Sequence, residues 1–264
     1  MVEQIPTIWV NPQQEPPIHM AIWLPGLTGS KDQMVPFLQE LARAGFLALS
    51  FDPWQHGERG TENGPQIGNR VFGNFRHFMW PILGQSTLDT LRIIDWAFAS
   101  FQSSLSPSVF MGGISMGGDI SVAAAGLDSR ITCVSAIIAT PDWLRPGMQD
   151  LSRPGTLLPP GEPGAYANFF YHQLNPLTHL PSYSHHPAIT FECGANDIHV
   201  PPDGALHFQQ ALRTQNASYE EHIQVNLHEG AGHEVTEPMW KNSLNWFFRW
   251  QRFAMERGLE NRGT

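Results

Sequence analysis

Short apolar runs alternate with helical patterns along most of this 264-residue chain. That alternation constrains the fold more than any other feature of the sequence. Ile18–Leu24, Leu47–Phe51, Ser108–Ile114, Ile131–Ala139, Ala188–Cys193 and His222–Leu227 read as strands. Most are apolar almost throughout, as strands covered on both faces must be. Ile5–Val10 reads as an earlier edge strand. Between the strands the pattern predicts helices over Asp32–Arg43 (with Gly45 as its stop), Thr87–Phe101, Met116–Ala125, Asp203–Arg213 and Glu237–Met255. In the second of these, Leu88, Leu91, Ile94, Trp96 and Phe98 recur at roughly helical spacing. Strands alternating with helices imply an α/β fold with a mostly parallel central sheet flanked by helices. No internal repeat or low-complexity tract interrupts the chain, and residues 1–264 read as a single domain.

Two segments break the alternation, at about 58–85 and 141–187. The first carries Gly60, Gly64, Gly68 and Gly73 and then Phe72, Phe75, Phe78 and Trp80. The second is rich in Pro and Gly and holds Trp143, Tyr166, Phe169, Phe170 and Tyr171. Connections of this length in a compact fold are lids, binding loops or disordered segments. Their aromatic content argues against disorder. They either pack as satellite cores or form a cap or pocket wall, and the second reading is preferred because both would leave the sheet at the strand C-termini. Phe75, Phe78, Trp80, Trp143, Phe169 and Phe170 are accordingly the expected substrate-binding residues.

Composition narrows the partners. Hydrophobic residues make up 41% of the chain and charged residues 15%, enough apolar surface for a large core. The formal net charge of −9 argues against nucleic acid or an anionic membrane as the main partner, since both require a basic face. The N-terminal stretch lacks a basic segment followed by an apolar run, and no window of about 18 apolar residues suggests a membrane span. Two cysteines cannot build a disulfide framework. Cys133 near the start of one strand and Cys193 near the end of the next parallel one lie too far apart to bridge. The expectation is a soluble cytoplasmic protein, with a homo-oligomer left open.

The chemistry is carried by Gly113-Ile114-Ser115-Met116-Gly117, a G-x-S-x-G sequence between a predicted strand and a predicted helix. In that setting the serine occupies a sharp strained turn, with its Oγ above the sheet and the N–H of Met116 facing a developing oxyanion. A phosphate-cradling loop is the competing reading. It would end in Gly-Lys-Ser/Thr, whereas Gly117-Gly118-Asp119 follows here, and Asp119 would repel a phosphate.

A serine nucleophile needs a neutral imidazole to take its proton. Of the twelve histidines, His233 is best placed, in a Gly-rich loop between the last predicted strand and the last helix. His172, His179, His185, His186 and His222 have weaker claims. The imidazole needs an acceptor in turn. Asp197 lies just beyond the Ala188–Cys193 strand. Asp203 is the competing acid, but it precedes Gly204-Ala205-Leu206 and is preferred as a helix N-cap. The resulting order is Ser115, Asp197, His233, with each residue just beyond a strand of one sheet.

On these residues the chain resembles the α/β-hydrolase superfamily, and within it the small bacterial carboxylesterases related to dienelactone hydrolases and to the catalytic domain of prolyl oligopeptidases. The resemblance spans about Ile18 to Trp250 and is carried by Leu24–Ser30, Asp52–Gly60, the Ser115 turn, the Asp197 loop and Gly232-His233. It implies an α/β-hydrolase fold and the Ser115–His233–Asp197 triad. It also implies an oxyanion hole made by the N–H groups of Leu27 and Met116. Pro25 stands where such families usually carry histidine. Asp52 and His56 resemble a loop beside the site, where His56 is expected to brace the loop and not to bind metal. Hydrolysis of a small carboxylic ester through an acyl-enzyme is the expected activity, with no metal or organic cofactor. A thioester, a lactone, a small peptide or a non-catalytic ligand-binding role are the alternatives. Fewer than 20 residues precede Ile18, so the propeller gate of the oligopeptidases is not expected, and an ester is preferred to a peptide.

Overall fold

The computed structural model describes residues 1–13, 18–101 and 105–260. Seven strands form one sheet: β1 (Thr7–Val10), β2 (Ile18–Leu24), β3 (Phe46–Phe51), β4 (Leu105–Ile114), β5 (Ile131–Ile137), β6 (Ala188–Gly194) and β7 (Ile223–His228). Their spatial order is β1-β3-β2-β4-β5-β6-β7. β1 runs antiparallel to β3 at one edge, and every other pairing is parallel. All six residues of β3 and all seven of β6 are buried, including Thr190 and Glu192 of β6, which bond each other.

Side chains alternate between two cores, as the two-residue period of a strand demands. Ile22, Leu24, Leu47 and Leu49 join one core with Ile93, Ile120 and Phe208, whereas Ala21, Trp23, Phe46 and Ala48 join the other. The second core is closed by α1 (Val35–Arg43) and by α8 (Glu237–Glu260), whose Phe247 meets Phe110 and Phe46 at 5.4 and 5.9 Å between ring centroids.

The first expected lid segment differs from its sequence reading. It contains α2 (Gly64–Gly73), opened by a capping box between Asn63 and Gln66, and most of the first half of α3. Helix α3 begins at Phe75 rather than Thr87, runs 27 residues to Phe101 and contains Pro81. Gly84, within α3, is a helix contact: a Cβ there would lie 2.1 Å from the Phe170 ring. Phe170 belongs to α5 (Ala165–Leu174), which lies in the second segment with short 3₁₀ turns and a small bridge between Gln149 and Leu157.

The remaining helices are α4 (Met116–Leu127), α6 (Asp203–Gln215) and α7 (Tyr219–His222). Asp203 is the first residue of α6 and makes no side-chain cap; Pro202 holds the N-cap position. Helix α1 is preceded by a 3₁₀ turn over Lys31–Met34, and Gly45 follows its end with φ 91°. Cys133 pairs with Ala188 at the start of β6, while Cys193 lies near the end of that strand; both thiols are free and buried. No helix among the described residues is long and apolar enough to cross a membrane.

The strand order positions the site. From β2 the chain first adds β3 on one side and then returns to add β4 on the other. The loops leaving the C-terminal ends of β2 and β4 therefore diverge, opening a crevice where ligands of open α/β sheets bind. Leu24 and Gly113 are paired neighbours at that crevice.

Candidate active site

Ser115 joins β4 to α4 in a left-handed conformation, φ 51° and ψ −115°. The turn is pinned on both sides. The Ser115 N–H donates to the Ile137 carbonyl at 2.8 Å, and the Ser115 carbonyl accepts from Asp119 N–H at 3.1 Å. Its flanks must be glycine because the backbone crosses itself here. A Cβ on Gly113 would lie 2.6 Å from the Gly117 carbonyl carbon, and one on Gly117 would lie 2.4 Å from the Leu24 oxygen. The hydroxyl-bearing residue is thus presented at the N-terminus of α4. There the N–H of Met116, in the first helical position, has no carbonyl four residues back within the helix.

Asp197 sits in the loop after β6 and is 4% exposed. Its Oδ1 accepts the backbone N–H groups of His199 at 2.9 Å and Val200 at 2.8 Å. Its Oδ2 accepts from His233 Nδ1 at 2.7 Å. A carboxylate only accepts, so Nδ1 carries the hydrogen and Nε2 of the neutral ring is left with its lone pair, the form a general base requires. The two loops are stitched by backbone bonds from Ala195 to His228 and from Asn196 to Ala231. The loops pass so closely that a Cβ on Gly194 would lie 2.3 Å from the Gly232 oxygen.

Ser115, His233 and Leu27 line one cavity of about 990 Å³. Leu27 follows Gly26, where an added Cβ would lie 3.7 Å from Ser115 Cβ, so the loop after β2 runs directly beside the serine turn. Asp119, which the sequence marks only as hostile to phosphate, is fully buried and paired with Arg145 of the cavity wall. It also accepts from Thr140 N–H at 2.8 Å. The Arg145 guanidinium lies 5.2 Å above the Phe75 ring. Asp52 gathers the N–H groups of Lys31 and Glu58, each at 2.9 Å. His56 donates Nδ1–H to the Trp54 carbonyl at 2.9 Å. Both side chains bind the loop that carries them.

The six aromatics expected to contact substrate are not on the cavity wall. Phe75 is in the core beneath Arg145. Trp80 and Trp143 are buried and joined by a bond from Trp80 Nε1 to the Trp143 carbonyl at 2.9 Å, and Trp80 stacks on Tyr171. Phe170 fills the space over Gly84, Phe78 packs beside Arg70, and Phe169 is 58% exposed on the surface. For the helical residues the physical reason is rotation: in a helix only one stripe of side chains can face a given wall. The faces of α2 and α3 towards the cavity carry Phe72 and Met79 instead, joined by Ile138 and by Leu158 of the 148–158 hairpin.

The sequence reading also passed over His199, two residues beyond Asp197. Its Nδ1 donates to the Gln149 carbonyl at 2.9 Å, and its ring meets His233 edge to face at 4.9 Å and Phe72 at 5.1 Å. Burial, with the nearby His233 and Arg145, pushes its pKa down to about 4.

No protein-family model matches the sequence, and no curated protein matches it. Solved structures do. TT1662 from Thermus thermophilus is 22% identical, with a TM-score of 0.69 over 94% of this chain and 98% of that one. Est1E from Butyrivibrio proteoclasticus, solved with ferulic acid bound, is 16% identical with a TM-score of 0.62, covering 100% of this chain and 98% of that one. The acylaminoacyl peptidase of Pyrococcus horikoshii is 14% identical with a TM-score of 0.65 over 94% of this chain and 39% of its own. At such identities the likeness establishes the fold: the chain has the α/β-hydrolase architecture.

Proposed function

We propose that this chain is a serine hydrolase that cleaves a small carboxylic ester, with Ser115 as nucleophile, His233 as general base and acid, and Asp197 as the group orienting His233. One observation carries the reading. A serine in a strained strand–helix turn shares a cavity with an imidazole whose Nδ1 hydrogen is held by a buried carboxylate at 2.7 Å. A buried carboxylate given two backbone N–H groups on one oxygen and an imidazole on the other fixes the tautomer and stabilises the imidazolium that forms on attack.

In this reading Ser115 Oγ adds to the ester carbonyl as its proton passes to His233 Nε2. The N–H groups of Leu27 and Met116 hold the oxyanion, each such donor contributing roughly 3–4 kcal/mol. The imidazolium returns its proton to the leaving alcohol, and the acyl group stays on Ser115. Water then attacks the acyl-enzyme, giving its proton to His233, and the acid leaves as Ser115 regains its hydrogen. Solved structures of an esterase from Pyrococcus furiosus and of Est1E with ferulic acid are consistent with ester chemistry on this architecture. Thioesters and lactones fit the same steps.

The test is covalent and kinetic. A fluorophosphonate should label the native protein at Ser115, and p-nitrophenyl acetate and butyrate should be hydrolysed. Ser115→Ala should remove labelling and lower kcat by roughly 10⁴-fold or more. Equal rates for both proteins, or no labelling of the native one, would leave a ligand-binding role on a hydrolase scaffold.

A further inference from the structure

His199 is a second imidazole in the cavity, and the acyl-transfer steps leave it unused. It is 6% exposed and shares the cavity wall with Ser115 and His233. Its partner on one side is the Gln149 carbonyl, which only accepts, so Nδ1 carries the hydrogen. The low pKa keeps the ring neutral near pH 7, so Nε2 presents a bare lone pair. No hydrogen bond among the described residues uses that nitrogen. Phe72 lies edge-on to the ring, and Met79, Ile138 and Leu158 add apolar wall to the same cavity. An acceptor set in such a wall and left empty on binding loses its solvation without return. A ligand that brings a donor to it regains that loss. Arg145 on the same wall is already paired with Asp119, and a neutral hydroxyl loses less solvation than an ammonium on entering an apolar wall, so a hydroxyl is the fitting donor.

We propose that His199 is a specificity-determining residue whose Nε2 accepts a hydrogen bond from a hydroxyl carried by the ester, making hydroxylated small esters the preferred substrates. This rests on the ester-hydrolase reading of the same cavity. The hydroxyl belongs to either the acyl or the alcohol part, since both parts occupy the cavity over Ser115. His199 also has a structural duty, because its Nδ1 ties Gln149 to the loop carrying Asp197. The two nitrogens therefore have to be tested separately. Asparagine keeps a donor at the Nδ1 position and places nothing at Nε2. Glutamine reaches the Nε2 position with an acceptor and gives up the Nδ1 donor.

The experiment measures equilibrium binding by calorimetry to Ser115→Ala, which holds substrate without turning it over. The probes are ethyl butyrate, ethyl 3-hydroxybutyrate and 2-hydroxyethyl butyrate. One hydroxylated ester should bind about tenfold more tightly than ethyl butyrate, and which one does assigns the hydroxyl to the acyl or the alcohol side. Adding His199→Asn should bring that ratio to about one, and adding His199→Gln should preserve it. The proposal is overturned by equal binding of all three esters, or by no saturable binding of any. It is overturned equally by a ratio that survives His199→Asn, or by one that both substitutions abolish, since that would leave only the tie to Gln149. Failure of fluorophosphonate labelling would instead strike the hydrolase reading and leave the binding ratio readable.

Discussion

A serine at φ 51° is held where L residues rarely sit, at a cost of roughly 1–3 kcal/mol, and the surroundings must make that state the only one available. Gly117 is part of that constraint. Gly117→Ala would place a Cβ 2.4 Å from the Leu24 carbonyl oxygen, which is backbone and cannot rotate away. Urea unfolding should show a loss of about 2–4 kcal/mol, larger than an exposed Gly→Ala change produces. An unchanged midpoint would mean that the β2 end yields freely. Cys193 behaves oppositely to a nucleophile. Burial pushes its thiol up to about 12, so almost no thiolate exists at neutral pH. A thiol-specific disulfide reagent should titrate neither cysteine in the native protein and both after denaturation; rapid native reaction would contradict this burial. At this scale the sequence discloses most where chemistry demands a local turn. That Ser115, Asp197 and His233 come together was legible because each follows a strand, and loops at strand ends have few places to go. Phe75 and Trp143 could not be placed the same way. An aromatic residue announces that it will be buried, but not against which wall. His199 was legible only as the residue two beyond Asp197, and nothing in its neighbours indicates that its ring turns into the cavity.

Elements show where local signals mislead. The first half of helix α3 reads from sequence as part of a connection carrying Gly60, Gly64, Gly68 and Gly73, and within the helix Pro81 and Gly84 are breakers in an isolated chain. Tertiary contact overrides them: Gly84 is small so that α5 can lie against α3 with Phe170 over it. The pair is also tied to the 141–148 segment through the Trp80 to Trp143 bond. Trp80→Phe keeps most of the apolar area and leaves the Trp143 carbonyl buried without its donor. It should lower stability by about 1–2 kcal/mol in thermal or urea unfolding. No loss would show that this bond does not hold the segment to α3. The strands, by contrast, were legible to within a few residues at their ends. A strand buried on both faces favours an apolar run, as in β3, and where β6 departs from one, at Thr190 and Glu192, the buried polar groups bond each other and Asn226 and His228.

The whole molecule carries buried histidines whose charge it cannot accommodate. Burial is the main cause that lowers the pKa of His19, His56 and His199, the last to about 4. His56 Nε2 and His19 Nδ1 are buried without a hydrogen-bond partner among the described residues. Because these folded-state values lie below the ordinary 6.5, the unfolded chain takes up protons first as pH falls. Their contribution to stability is therefore complete above about pH 6.5 and is lost between there and the folded-state values. His199 alone accounts for up to about 3 kcal/mol over that window. Calorimetric Tm should fall steeply from pH 6.5 towards 4.5, above most of the range where ordinary carboxylates titrate. A level Tm across that interval would show that these rings are charged at little cost in the folded state.

Gln149 has one further consequence. Its N–H donates to the Ile198 carbonyl and its own carbonyl accepts from His199, so the hairpin facing the cavity is spliced at one residue into the loop that holds Asp197. A protein engineer who grafts a different hairpin here would be moving the mounting of Asp197 as well. In the proposed hydrolase, selectivity and turnover would be mechanically geared through this residue. Libraries aimed at the hairpin should vary 150–157 and leave the Gln149 junction intact.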